Sequence, residues 1–151
     1  MQRTLSALLS APYVPNQPCS INMRAWVGIP YVPRGRTRAG FDCWGICLAF
    51  ALDELGLALP EYFYDEAHIL EHAVEHIRRA TEQAAHWTRV EEVQRGDILI
   101  FRIMGFETHC GIALGNGDFL HSLEGRASCV ESLSHSNWEH RCTGAYRWTM
   151  R

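Results

Sequence analysis

The pattern of apolar and polar positions changes once along the chain, from helical spacing to strand-like runs. Apolar side chains recur every three to four residues after Asp42, which offers a capping carboxylate, and Gly56 then provides a stop. This pattern predicts a helix over Cys43–Leu55. A second helical pattern, with one apolar side, covers residues 65–86.

Short runs rich in β-branched and aromatic residues follow Trp87. The Gly-Asn-Gly-Asp sequence at residues 115–118 predicts a tight turn between two of these runs. Five segments are expected to form a sheet: 97–103, 109–114, 119–123, Val130 and 146–149. Helices followed by a mostly antiparallel sheet predict an α+β fold.

Three of the six prolines lie within the first 20 residues, where they break regular structure. Residues 1–21 are therefore expected to form an N-terminal arm, and residues 22–151 a single domain. A short capped turn is expected after Asn22. A chain of 151 residues buries roughly two thirds of its unfolded surface, so it needs neither disulfides nor a structural metal to fold.

Composition narrows the classes of partner. The net charge is −3 and the pI about 6.2, so no basic field attracts nucleic acid or an anionic membrane. No apolar run approaches the roughly 20 residues of a membrane span, and no export signal is recognised, so synthesis in the cytoplasm is expected. All 14 basic residues are Arg, and eight His are present. Six scattered cysteines are predicted to be free thiols: Cys19, Cys43, Cys47, Cys110, Cys129 and Cys142.

Cys43 stands at the first turn of the predicted helix, directly after the capping Asp42. Backbone N–H groups and the positive end of the helix dipole favour a thiolate there, so the pKa of the thiol is expected to fall. This position suits a nucleophile. The alternative is a buried packing cysteine, as predicted for Cys47 one turn further on. Cys110 is also predicted to be buried, on the strand face opposite to that of its neighbour His109.

A cysteine nucleophile needs a general base, and that base needs a polar group to orient its ring. His109 and His121 lie on predicted strands that flank one turn, which makes them the candidates. Simple pairing places His121 opposite a residue three or four positions beyond His109, so a bulge or bend is expected to bring the rings together. Asn116 and Glu124 remain alternatives for the orienting group.

Three segments together carry a resemblance to a known family. They are Gly-Ile-Pro-Tyr at 28–31 with Gly-Phe-Asp-Cys-Trp-Gly at 40–45, Gly-Asp-Ile-Leu-Ile-Phe at 96–101, and His-Cys-Gly-Ile-Ala-Leu-Gly-Asn-Gly at 109–117 with Phe-Leu-His-Ser at 119–122. In order and spacing they resemble the NlpC family of papain-like cysteine peptidases, which cleave peptide stems of bacterial cell walls. The resemblance covers residues 26–123.

The resemblance implies a papain-like fold, with the nucleophile at a helix N-terminus packed on a mostly antiparallel sheet. It implies that Cys43 is the nucleophile, His109 the base and His121 the group that orients the base. It also implies amide hydrolysis through a thioester, with no metal and no cofactor. Three residues are expected to line the oxyanion or substrate site: Tyr31, Asp42 and Trp44. For Trp44 the sequence leaves open a place at the rim of the cleft or in the core.

Trp44 departs from the serine that many members carry after the nucleophile. The form with Trp resembles the branch found in phage and prophage tails. The expected function is therefore an endopeptidase acting on peptidoglycan stem peptides, located in a virion tail tip, with tail-tip or hub proteins as partners. The alternatives are a structural tail component that keeps the peptidase fold, and an amidase or acyltransferase that uses the same Cys-His pair.

Two other groups of residues offer less specific chemistry. Three histidines share one helix face at a spacing that can bind zinc, but helical geometry turns this face away from the apolar stripe, so a solvated face is favoured: His68, His72 and His76. Three arginines could pair with substrate carboxylates, but a solvated loop is favoured: Arg34, Arg36 and Arg38.

Overall fold

The structure is a computed structural model that describes residues 21–62 and 86–149. The expected arm at residues 1–21 and the expected helix at 65–86 lie outside the described residues, apart from one terminal residue of each. The proposed zinc-spacing histidines and Cys19 lie outside them as well. No helix in the described part of the chain is long and apolar enough to cross a membrane.

Within the described residues, two helices and eight strands follow a 3-10 turn at Met23–Ala25, which Asn22 caps as expected. In chain order they are β1 (Arg36–Thr37), β2 (Gly40–Phe41), α1 (Cys43–Leu55), β3 (Trp87–Val90), β4 (Ile98–Ile103), β5 (Phe106–Ala113), β6 (Asp118–His121), β7 (Cys129–Ser132), α2 (Ser136–Glu139) and β8 (Cys142–Trp148). Each strand segment expected from the sequence overlaps one of these strands.

Six strands form one sheet in the order β3-β8-β4-β5-β6-β7, and every neighbouring pair is antiparallel. Strands β1 and β2 form a separate hairpin directly before α1. The expected α+β class is confirmed. Strand β7 lies at an edge of the large sheet, and β5 lies between β4 and β6.

Helix α1 begins and ends where the sequence predicts. The carboxylate of Asp42 accepts a hydrogen bond from the Gly45 N–H at 2.7 Å, and Gly56 adopts a left-handed conformation with φ 65° at the other end. The helix is apolar on most of its surface because it is largely buried. Its fully buried residues include Trp44, Ile46, Cys47, Phe50 and Ala51.

The sheet carries a hydrophobic core on each face, because successive side chains of a strand point to opposite sides. On one face, buried side chains of the central strands pack against α1: Ile98, Ile100, Cys110, Ile112 and Leu120. On the other face a smaller cluster forms around α2: Leu99, Phe101, Ala113, Phe119 and Trp138. Cys110 therefore lies on the α1 face, whereas the His109 ring contacts Phe101 and Trp138 on the α2 face.

Candidate active site

Asp42 organises the backbone around the candidate nucleophile. Its carboxylate is fully buried and accepts from the Gly45 N–H, from Nη1 of Arg36 at 2.8 Å and from the Arg34 N–H at 3.1 Å. A carboxylate with these partners holds the helix terminus and the preceding loop in place. The expectation that Asp42 lines the substrate site is wrong, since the protein's own donors surround it.

Trp44 is also part of the core. Its side chain is fully buried, its ring lies against Tyr62 and Trp87, and its indole N–H donates to the Pro60 carbonyl at 3.2 Å. Of the two locations that the sequence leaves open for Trp44, the structure shows the core. One step along a helix turns a side chain by about 100°, which directs Trp44 away from the side of the helix that carries Cys43.

Loop arginines have structural partners, contrary to the expected solvated loop. Arg36 bridges Asp42 and both carboxylate oxygens of Glu61. The Arg38 guanidinium stacks 3.9 Å above the ring of Trp26. The loop before the nucleophile is therefore fixed by charge pairing and stacking.

Cys43 occupies the first position of α1 and is 1% exposed. Its thiol shares a hydrogen bond with the thiol of Cys110, which also bonds with Cys47. Burial, followed by the bond with Cys110, holds the pKa of the Cys43 thiol well above its usual value. The expected fall in pKa is wrong, because desolvation of a thiolate at this depth outweighs the helix terminus.

This raised pKa predicts the pH dependence of Cys43 alkylation. Iodoacetamide reacts with the thiolate, so the rate at Cys43 is expected to keep rising from about pH 7 to about pH 9. Peptide mapping by mass spectrometry measures this rate residue by residue, and urea-unfolded protein is the control for an unperturbed thiol. A rate that levels off in the acidic range would contradict the prediction, because it would reveal a thiolate stabilised in the folded protein.

Tyr31 stands beside the nucleophile. It pairs with Phe41 at the end of the hairpin and is partly buried. Burial raises the pKa of its hydroxyl above the usual range, and nearby Cys43 and Asp42 add to the effect. The phenol therefore stays neutral and keeps its proton for donation. This location fits the oxyanion role that the resemblance implies.

The two candidate histidines meet directly. Nε2 of His109 lies 2.8 Å from Nδ1 of His121, and both side chains are fully buried. Ile112 pairs with Leu120, and continuing this register places His121 opposite Gly111. The rings therefore meet as a diagonal pair on one face of the sheet. Of the expected bulge or bend, the two recorded β5-β6 pairs show no bulge.

Gly111 makes room for this diagonal contact. A Cβ on Gly111 would lie 3.3 Å from Cβ of His121 and 3.0 Å from the ring of Phe119. The absent side chain leaves space above the strand for the imidazole to lean towards His109. Ser122, next along the chain, is buried and donates to the Phe41 carbonyl at 2.9 Å, which ties the end of β6 to the nucleophile hairpin.

Glu131 extends the pair and was missed by sequence reasoning. Its Oε2 lies 2.7 Å from Nε2 of His121. An ionised carboxylate only accepts, so this contact places a proton on Nε2 of His121 and leaves its Nδ1 to accept from His109. Glu131 could have been predicted from the strand pairing. His121 pairs with Cys129, and Glu131 lies two residues further along the same strand.

With Nε2 of His109 donating its proton to His121, Nδ1 of His109 carries a lone pair. This nitrogen is buried and has no hydrogen-bond partner among the residues that the structure describes. Burial and the nearby His121 hold the pKa of His109 well below its usual value, so the ring is neutral. His109 is therefore a neutral imidazole. Its neighbour in sequence, Cys110, contacts the thiol of Cys43.

The other two candidates for the orienting group lie elsewhere. Asn116 is exposed and accepts from the Asp118 N–H at 3.1 Å, which closes the turn between β5 and β6. Glu124 is exposed, and its charge acts on Tyr31. Of the residues predicted from the sequence, the structure brings His121 to His109, and Cys43 close to Tyr31.

Comparison with known proteins identifies the family. Residues 28–147 match the model of the NlpC/P60 family. The chain is 25% identical over 122 residues to murein DD-endopeptidase MepS/murein LD-carboxypeptidase of Escherichia coli K12, covering 81% of this chain and 57% of that protein. It is 30% identical over 125 residues to murein DD-endopeptidase MepH of the same organism, covering 80% and 41%. The chain thus spans less than two thirds of either relative.

Solved structures show the same fold. The NlpC/p60 domain of peptidoglycan hydrolase SagA superposes with a TM-score of 0.54 at 26% identity, covering 84% of this chain and 92% of that one. An NlpC/P60 family protein from Bacillus cereus superposes with a TM-score of 0.59 at 21% identity, covering 83% and 37%. The expected papain-like fold is confirmed. With the family model matched across the hairpin, the helix and the sheet, the chain belongs to the NlpC/P60 family.

Proposed function

We propose that this chain is a cysteine endopeptidase that hydrolyses amide bonds in the peptide stems of peptidoglycan. The observation that carries the proposal is the chain of hydrogen bonds from Glu131 through His121 to His109, which ends at an Nδ1 with no partner among the residues that the structure describes. Such an ordered acceptor suits a general base for a thiol. The substrate class is supported by the murein endopeptidases among the relatives.

Catalysis begins with proton transfer from Cys43. In the structure the thiol bonds to Cys110 and the His109 ring packs on the other face of the sheet, so the proposed step requires the thiol and Nδ1 of His109 to approach each other first. The base then takes the proton as the sulfur attacks the substrate carbonyl carbon. The resulting oxyanion receives hydrogen bonds from the Cys43 backbone N–H and from the hydroxyl of Tyr31. The imidazolium gains stability from His121, whose far side is held by the Glu131 carboxylate.

Collapse of the tetrahedral intermediate breaks the amide bond. His109 returns its proton to the leaving amine, and the acyl group stays on Cys43 as a thioester. A water molecule then gives a proton to His109 and attacks the thioester carbonyl. The carboxylic acid leaves, and the proton returns from His109 to the thiol.

The proposed activity is tested by incubating the purified protein with peptidoglycan sacculi and analysing the released muropeptides by mass spectrometry. Cleavage inside the stems is expected, with one new amine and one new carboxylate for each bond cut and with intact glycan. Products cut only in the glycan, or no products, would contradict the proposal.

Replacing Glu131 tests its place in the relay. Glu131→Gln removes the acceptor-only group that fixes the proton on Nε2 of His121, so kcat is expected to fall by about tenfold to hundredfold with KM little changed. Glu131→Asp is expected to recover part of the loss. Steady-state kinetics on a soluble stem peptide provide the readout.

Glu139→Gln, an exposed change on α2, is the matched control for the loss of one carboxylate. Equal kcat values for Glu131→Gln and the control would remove Glu131 from the relay.

We further propose that the enzyme is made in the cytoplasm of a bacterial host and acts in a phage or prophage tail tip, with tail hub proteins as partners. Trp44 after the nucleophile supports this placement. Mass spectrometry of purified particles released after prophage induction tests it. Peptides of this chain are expected in intact particles, and their confinement to the soluble lysate would contradict the placement.

A further inference from the structure

Three donor atoms of different side chains converge where β6 meets β7. Nε2 of His121 lies 2.7 Å from Oε2 of Glu131 and 3.4 Å from Sγ of Cys129. All three atoms lie within 4.8 Å of one another, and in the described parts of the chain no other set of three His, Cys, Asp or Glu donors does so. The relay uses two of these atoms, whereas the peptidase chemistry leaves the Cys129 thiol without a role.

We propose that His121, Cys129 and Glu131 bind Zn²⁺, and that the bound ion silences the peptidase. Zn²⁺ binding depends only on the three donor side chains, whereas the loss of peptidase activity rests on the proposed function. Imidazole nitrogen, thiolate sulfur and carboxylate oxygen are the donor types that Zn²⁺ takes in proteins, and three protein ligands leave a fourth position for water.

The sheet places these donors in advance. His121 pairs directly with Cys129 in the β6-β7 register, so their side chains stand on the same face. Glu131 lies two residues further along β7 and therefore shares that face. Strand β7 is at an edge of the sheet, the Glu131 side chain is 28% exposed, and Cys129 is partly exposed. An ion from solution can reach the site from this edge.

Two of the three donor distances lie within about 0.6 Å of those around a tetrahedral ion, and the third, from Sγ of Cys129 to Oε2 of Glu131, is at most 4.8 Å. Two donors each about 2.0 Å from Zn²⁺ lie about 3.3 Å apart, and a nitrogen and a sulfur ligand lie about 3.6 Å apart. The sulfur-to-nitrogen distance of 3.4 Å is already close to that value. The oxygen has to withdraw by about 0.6 Å, which a partly exposed glutamate side chain achieves by a small torsional change.

His121 also has the outer support typical of a metal-binding histidine. Its second nitrogen, Nδ1, is held by Nε2 of His109 at 2.8 Å, which fixes the orientation of the ring. Metal-binding histidines usually engage the second ring nitrogen in such a bond, and the bond sets which nitrogen faces the ion. The contact that serves the catalytic relay would therefore orient His121 towards a metal ion as well.

Silencing follows from the location of one proton. With the ion on Nε2, neutral His121 carries its proton on Nδ1 and donates it to Nε2 of His109. Neutral His109 then carries its own proton on Nδ1, the atom that has to accept the proton of Cys43. The base is blocked although the ion touches neither His109 nor Cys43.

Titration of the metal-free, full-length protein with Co²⁺ tests the site by absorbance, independently of activity. A thiolate-to-Co²⁺ charge-transfer band is expected for the wild type, and Zn²⁺ should abolish it whereas Mg²⁺ and Ca²⁺ should not. Cys129→Ser is expected to lose the band or to weaken Co²⁺ binding at least about tenfold. Cys142→Ser, a matched change of another partly buried cysteine, and Cys43→Ala are expected to keep the band. Circular dichroism checks that each variant is folded.

Two results would overturn the site: no band in the wild type, or a band lost in Cys43→Ala and kept in Cys129→Ser, which would place the ion on the nucleophile.

Silencing is measured by muropeptide release at increasing Zn²⁺, with each protein scaled to its own metal-free rate. Cys129→Ser is expected to need at least about tenfold more Zn²⁺ for half inhibition. Equal sensitivity of both proteins would overturn silencing. No release by metal-free wild type would contradict the proposed function, and the Co²⁺ band would still decide the site.

Discussion

Cys43→Ala is expected to reduce muropeptide release by roughly 10⁵-fold or more, to below detection, while the protein stays folded. The change removes the only protein atom in the proposed mechanism that bonds to the substrate carbonyl carbon. Without it, the oxyanion donors and the histidine relay remain, but no thioester forms. Sulfur-to-hydrogen replacement in the core leaves a small cavity, so the loss of stability should be about 1 kcal/mol.

Cys47→Ala is the matched control for Cys43→Ala. It removes a second buried thiol one turn further along α1, which bonds to Cys110 as Cys43 does. Activity close to that of the wild type is expected, with a similar small loss of stability. If both variants lose activity together, the effect arises from packing of the thiol cluster. If Cys43→Ala keeps its activity, the cysteine peptidase assignment is wrong.

Asp42→Ala is expected to destabilise the fold by about 3 kcal/mol, since it removes a helix cap and leaves two backbone donors and one guanidinium nitrogen without their carboxylate. The buried side chain makes these contacts at 2.7 to 3.1 Å. Such a loss should lower the melting temperature by about 10 °C in a chain of this size. Urea unfolding followed by circular dichroism gives the free energy directly.

Asp53→Ala supplies the comparison. Asp53 lies on the same helix with its side chain 54% exposed, and its charged neighbour Arg38 is 4.0 Å away. A change within about 0.5 kcal/mol is expected. A similar loss for both variants would mean that helix charge, and not the buried cap, sets the stability. Asp42→Asn keeps a capping oxygen and should retain part of the lost free energy.

Local signals explain why the sequence predicted α1 and most strands. Asp42 and Gly56 mark the helix by their own backbone chemistry, and the turn at residues 115–118 marks the hairpin that follows the base. Such features act within a few residues, so no knowledge of distant parts is needed. The predicted and observed helix bounds agree at both ends, Cys43 and Leu55.

Features that depend on distant packing were not predictable in the same way. The pKa of Cys43 is raised because β5 covers the helix terminus, and the dipole argument contains no such burial. The contact between His109 and His121 depends on the absent side chain of Gly111, and the role of Glu131 depends on β7 pairing with β6. These are tertiary relations, so the sequence pattern indicated candidate catalytic residues but not the arrangement that links them.

The two faces of β5 have a consequence for folding. Cys110 belongs to the core that contains the nucleophile, and its neighbour His109 belongs to the opposite core. Cys43 is far from both residues in sequence. The contact between Cys43 and Cys110 therefore forms only after a long loop closes and α1 docks on the sheet. A partly folded chain therefore carries every catalytic residue without a catalytic site. In a refolding experiment, peptidase activity would mark one of the last events, after secondary structure has already returned.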